Sequence, residues 1–167
     1  AMFTFLSGWC IVLMKLHQGF GLGDGYMTRV LTGGLMGTLM WANVWFIIWP
    51  AQKVVIANAE TVAGGGEANP EAAGAGGRAG MASRTNTLFS IPMLFFMGSA
   101  SHLPWFNDAG NLLPYWLITL AIVAFCEAQA LIGPGAGTQK PLTSVSGTIH
   151  SGLVLTLILF LVGVIIN

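Results

Sequence analysis

The chain has 167 residues, of which 54% are hydrophobic and 7% are charged, whereas a soluble domain usually carries about 25% charged residues. So few charges cannot cover a water-facing surface, which excludes an ordinary soluble domain and makes lipid the expected solvent. The formal net charge is zero and no cluster of Lys and Arg occurs, so nucleic-acid binding and polybasic lipid recognition are not expected.

Apolar stretches long enough for membrane helices recur along the whole chain, and the alternating pattern of barrel strands is missing. We therefore predict an all-α, polytopic membrane helix bundle with about five transmembrane helices in a single domain, residues 1–167. The first stretch lacks the features of a signal peptide and is interpreted as a true span. The predicted spans are residues 2–18, 30–55, 88–102, 112–132 and 145–166.

The connections differ in composition. Residues 57–85 contain three consecutive glycines and an Ala/Gly run at 72–80, which predicts a flexible loop outside the bilayer. Gly-Pro-Gly within residues 133–143 predicts a turn. Pro50 is expected to loosen the end of the second span, and Pro92 to kink the third.

Lys and Arg near the span ends predict the orientation. Four lie on one side and two on the other, which puts the N-terminus and residues 57–85 in the cytoplasm and the C-terminus in the periplasm of a bacterial inner membrane. The four are Lys53, Arg78, Arg84 and Lys140, and the two are Lys15 and Arg29.

Histidine is rare in this chain. His17 ends the first span and His102 the third, so both are expected at the outer membrane face. Two histidines on separate helices at one depth can ligate the iron of haem b from both sides; the alternative is that each anchors a helix end at the interface. His150 has no partner histidine at its depth. C-x-x-C-H is absent, which excludes covalent haem c within this chain.

Two polar residues interrupt the apolar spans. Glu127 lies in the fourth span, where an ionisable group is a functional hypothesis by default; it could handle protons or contact a neighbouring helix. Asn43 lies in the middle of the second span, where its amide needs a partner. A helix contact is expected for Asn43, with a cofactor contact as the alternative.

A stripe of small and aromatic residues recurs every four positions in the second span, which predicts one helix face. We expect this face to be an interface with a partner subunit or a flat cofactor. Its members are Gly33, Gly37, Trp41, Trp45 and Trp49. Interfacial aromatic residues are expected at Trp49, Trp105, Tyr115 and Trp116.

Two segments resemble the membrane domain of the bacterial cytochrome-c-linked urate oxidases. The first is Gly37–Lys53, with its Asn-Val-Trp-Phe core and Pro-Ala-Gln-Lys exit. The second runs from Arg84 and Asn86 through Ile-Pro-Met-Leu-Phe-Phe-Met to His102. The resemblance covers roughly residues 33–104. It implies a multi-helix membrane domain of an enzyme that oxidises urate and passes electrons to a c-type cytochrome, which in that family follows as a periplasmic domain.

The leading hypothesis is therefore an electron-transfer membrane subunit holding haem b between His17 and His102, with lipid and a periplasmic c-type cytochrome or other subunits as partners. The alternative is a non-catalytic structural subunit of a larger membrane complex without a cofactor. A small transporter using Glu127 and Asn43 is a third hypothesis. If the chain is enzymatic, it is an oxidoreductase, since no nucleophile triad, phosphate loop or zinc spacing occurs.

Overall fold

The computed structural model describes residues 2–103 and 112–166, and within them it contains helices and no strands. The all-α prediction is thus confirmed. Trp105 and the connection at 104–111 lie outside the described residues. The helices are α1 (Met2–His17), α2 (Gly25–Ala42), a π-helical segment (Asn43–Ile48), α3 (Trp49–Ala63), α4 (Glu71–Ser99), α5 (Leu113–Leu131), a short 3₁₀ helix (Gly137–Thr143) and α6 (Val145–Ile166).

Three helices in the described part are long and apolar enough to cross a membrane: Gly25–Ala63, Leu113–Leu131 and Val145–Ile166. The expected count of about five is therefore not confirmed. α1 is apolar but only 16 residues long, and the expected span 88–102 is the second half of α4, whose first half is rich in glycine, alanine and charge. These features are compatible with a membrane protein.

The longest helix is continuous from α2 through the π segment into α3 and covers 39 residues. At 1.5 Å per residue it is about 58 Å long, and the hydrocarbon core is only about 30 Å thick. Part of this helix must therefore lie outside any bilayer that it crosses. The helix continues through Pro50, which is the second residue of α3 and follows the π segment by two residues. The wider turn of the π segment leaves room for the proline ring, which has no N–H to donate.

The flexible loop predicted over residues 57–85 is wrong for most of its length. α3 continues to Ala63, α4 starts at Glu71, and only 64–70 connect them. Ala75 and Ala79 of α4 are buried against Ala51 of α3. Alanine is the best helix former, and its small side chain lets the two helices pack closely. We call this pair, α3 with the first half of α4, the hairpin.

α4 is the central helix of the bundle and contacts α2, α3, α5 and α6. The apolar core lies along it, with Phe89 and Phe96 fully buried against Met36 and Leu159. α6 approaches α4 closely at Gly152, where a Cβ atom would lie 3.0 Å from the Leu88 carbonyl oxygen. Pro92, four residues after Leu88, cannot donate to that carbonyl; α4 nevertheless continues through it as a helix to Ser99.

Candidate functional site

A polar cluster lies where the π segment, α4 and α5 meet. Asn43 is the first residue of the π segment and is 1% exposed. Its side-chain amide donates to Asn86 Oδ1 at 2.9 Å and to Glu127 Oε2 at 3.1 Å. The Asn86 amide in turn donates to the Met40 carbonyl oxygen at 3.0 Å. One amide therefore joins three helical elements through hydrogen bonds.

The π segment explains why this cluster forms here. At an α-to-π junction the regular hydrogen-bond ladder is interrupted, and such segments frequently occur at functional sites. Met40 lies one turn before the junction, and its carbonyl accepts from the Asn86 side chain. Asn86, which belongs to the segment that carries the resemblance but was not predicted as a site residue, thus connects the altered backbone to Asn43. Its place in an Arg-Thr-Asn-Thr run at the start of an apolar stretch is the signal that marks it.

The structure brings Asn43 and Glu127 together. A contact with a neighbouring helix was expected for Asn43 and was one of the two alternatives for Glu127. Glu127 is half-buried and accepts a hydrogen bond from an uncharged amide. A carboxyl in this setting can take up or release a proton, and its partner can remain hydrogen-bonded in either state. The chemistry that the cluster offers is therefore proton exchange or polar attachment of helices.

The two histidines expected to ligate haem lie at the same end of the bundle. His17 is the last residue of α1, and His102 follows the end of α4. The Arg29 side chain, near the start of α2, donates to the Leu103 carbonyl oxygen and to Gly25 at 3.0 Å, which ties the end of α4 to the start of α2. Both histidine side chains are exposed.

His102 has one ring nitrogen engaged: its Nδ1 atom lies 2.9 Å from the Gly98 carbonyl oxygen, to which it donates. His150 makes the same kind of contact with the Ser146 carbonyl oxygen at 2.7 Å, on α6. In the part of the chain that the structure describes, no group of three or more His, Cys, Asp or Glu side chains is placed to hold a metal ion.

The Gly/Trp stripe is not a single outward face. A Cβ on Gly33 would lie 2.8 Å from Met97 Cγ, and one on Gly37 would lie 3.4 Å from Met93 Sδ, both on α4. The Trp41 ring stacks on Phe5 of α1 with centroids 4.4 Å apart. The expectation of an external interface at these residues is thus corrected, because they contact helices of the same chain.

The remaining tryptophans of the stripe behave differently. Trp45 lies within the π segment and Trp49 directly after it, and both rings are exposed. A π-helical turn takes more residues than an α-helical one, so the four-residue repeat does not stay in line through residues 43–48. Lys53 Nζ lies 5.7 Å from the centroid of the Trp49 ring, which is within the range of a cation–π contact.

A second polar centre, which was not predicted from the sequence, lies at the connection between α5 and α6. Gln139 is 1% exposed; its Nε2 donates to the Gln129 and Gly133 carbonyls at 2.9 and 2.6 Å, and its Oε1 accepts from the amides of Gly135 and Ala136. The Gly-Pro-Gly turn is therefore held by one side chain that satisfies four backbone groups. A single glutamine in a loop gives no signal in the sequence.

The match to known families confirms the family that the sequence resemblance suggested. A family model described as "Urate oxidase N-terminal" matches residues 2–159.

The chain belongs to the urate oxidase N-terminal family. The match extends well beyond the segments at residues 33–104 that carried the resemblance, and it includes the polar cluster and both end histidines. No curated protein and no solved structure matches the chain.

Proposed function

We propose that this urate oxidase N-terminal domain is an electron-transfer membrane subunit that holds haem b between His17 and His102. The observation that carries the proposal is that both histidines lie at one end of the bundle, at the ends of the separate helices α1 and α4. Oxidation of urate, which the family name states, requires electrons to leave the substrate. A bound haem b would supply one-electron transfer.

The hydrogen bonding of His102 is that expected of a histidine that ligates iron. Metal-ligating histidines usually donate one ring N–H to a carbonyl or carboxylate, which fixes the ring and leaves the other nitrogen for the metal. The Gly98 carbonyl engages Nδ1 of His102 in this way, so Nε2 is available. His17 is exposed at the end of α1 and supplies the second imidazole.

The cluster at Asn43, Asn86 and Glu127 serves proton handling in this proposal. Carboxylates and histidines within membrane helices commonly belong to proton relays. Glu127 keeps a neutral hydrogen-bond donor within 3.1 Å, which supports a carboxyl that changes its protonation state without losing its partner.

The proposed orientation puts the N-terminus and the hairpin in the cytoplasm and the C-terminus in the periplasm of a bacterial inner membrane. The hairpin carries Lys53, Arg78 and Arg84, in agreement with the positive-inside rule. The end with His17 and His102 then faces the periplasm, where a c-type cytochrome or another subunit accepts the electrons.

A reduced-minus-oxidised absorption spectrum of the chain purified from its native membrane tests the haem proposal. We expect a haem b α-band that is lost in His17→Ala and in His102→Ala. His150→Ala is the matched control, since His150 is also exposed and bonded to its own helix; its band should be unchanged. No Soret band together with a negative pyridine haemochrome assay would refute the proposal.

A structural subunit without a cofactor is the second candidate. The observation that favours it is the exposure of Trp45 and Trp49 and of many large apolar side chains on α1, α5 and α6, because such residues suit contacts with neighbouring subunits as well as with lipid. In that case the native protein is colourless and purifies within a larger complex.

A further inference from the structure

We infer that the cleft between the π segment, α3, α4 and the end of α5 binds the headgroup and upper acyl chain of one anionic phospholipid. The cleft has a volume of about 370 Å³. It is lined by Phe46, Ile47, Pro50, Ala51, Val54, Arg78, Ala130 and Leu131. All of these are apolar except Arg78.

Arg78 is the arginine that lacks an internal partner. Arg29 donates to the carbonyls of Gly25 and Leu103, and Arg84 donates to the Leu142 carbonyl at 2.7 Å. Arg78 is exposed and makes no hydrogen bond or ion pair with residues 2–103 or 112–166. Its guanidinium is therefore free to bind a phosphate in a bidentate manner.

The shape of the cleft fits a chain attached to that phosphate. Ala51 and Ala130 are buried and small, so they form the floor. Phe46 and Leu131 are 71% and 67% exposed, so they form apolar walls that an acyl chain can cover. A free phosphate ion would use Arg78 alone and leave these walls unoccupied.

The level of the cleft agrees with a lipid headgroup. Pro50 and Val54 lie in the same turns of α3 as Trp49 and Lys53, both of which are exposed. Trp and Lys are residue types that favour the membrane–water interface. Basic pockets between helices at the cytoplasmic surface are known to take anionic headgroups. This inference rests on the proposed membrane location but not on haem.

Native mass spectrometry of the detergent-purified chain tests the site. Phosphatidylglycerol and phosphatidylcholine with identical acyl chains are the two probes. We expect one phosphatidylglycerol to be retained in preference to phosphatidylcholine, and Arg78→Gln to weaken that retention by roughly fivefold to tenfold. Arg78→Lys, which keeps the charge but loses the planar fork, should give a smaller loss.

Lys53→Gln is the matched control, because Lys53 is an exposed cation at the same level that does not line the cleft. The Lys53→Gln variant should retain phosphatidylglycerol as strongly as the wild-type protein does. Phe46→Ala should weaken retention of both lipids and leave the preference between them. Equal losses in Arg78→Gln and Lys53→Gln, no loss in Arg78→Gln, or competition by inorganic phosphate alone would each overturn the inference. The absorption spectrum tests haem separately.

Discussion

Glycines occur in both α2 and the hairpin, but the structure uses them differently at Gly33 and at Gly74 and Gly80. Gly33 of α2 is buried against α4, where a Cβ would lie 3.1 Å from the Met93 carbonyl oxygen as well as close to Met97. Gly74 and Gly80 of α4 have no atom within 4 Å of the position of a Cβ. In α2 glycine permits the helices to approach, whereas at these hairpin positions no contact requires it.

This difference explains why composition predicted a loop where a helix exists. Glycine in a helix interior costs up to about 1 kcal/mol relative to alanine, so the glycine-rich run suggested a linker. The alanines between those glycines supply both helix propensity and the packing against α3. Burial of Ala75 and Ala79 is a tertiary effect, which local composition does not reveal.

The largest loss of stability is expected where the backbones of α2 and α4 approach each other. Gly33→Ala places a methyl group against a carbonyl oxygen of α4 that cannot move alone, and overpacking of this kind costs about 1–3 kcal/mol. Gly34→Ala is the matched control, since no atom lies within 4 Å of its Cβ position; it should be neutral or stabilising. The free energy of unfolding of both variants is measured by denaturant titration in mixed micelles.

If both variants unfold at the same denaturant concentration, the close contact of α2 with α4 does not stabilise the bundle. The comparison between α2 and the hairpin would then lose its physical basis.

The second-largest loss of stability is expected for substitutions in the polar cluster. Asn43→Leu removes the donor to Asn86 and Glu127, and loss of a buried hydrogen-bond partner costs about 1–2 kcal/mol. Glu127→Gln should cost less, because an amide oxygen accepts from Asn43 as the carboxylate does. The same titration separates the two variants; an equally large loss in Glu127→Gln would indicate that the negative charge itself stabilises the cluster.

Much of the fold followed from hydropathy, and the family followed from two short segments. The ends of α5 and α6 agree closely with the predicted spans, because the Gly-Pro-Gly turn and its polar neighbours mark the connection between them. The site was predictable only in part: Asn43 and Glu127 stand out as polar residues in apolar helices, but their contact depends on how α5 packs. Asn86 and Gln139 hydrogen-bond to backbone groups whose positions follow from the π segment and a turn, and no periodicity reports these.

The smallest change in stability is expected in the hairpin, and it tests directly whether the hairpin glycines differ from Gly33 of α2. Gly80→Ala replaces an exposed helical glycine with the best helix former and should stabilise the protein by about 0.5–1 kcal/mol. Gly77→Ala should gain little, because its Cβ would lie 3.0 Å from Cγ of Pro134 in the α5–α6 connection. Thermal unfolding followed by circular dichroism compares the two. A loss of stability in Gly80→Ala would show that this part of α4 requires glycine, and the hairpin would then resemble α2 rather than contrast with it.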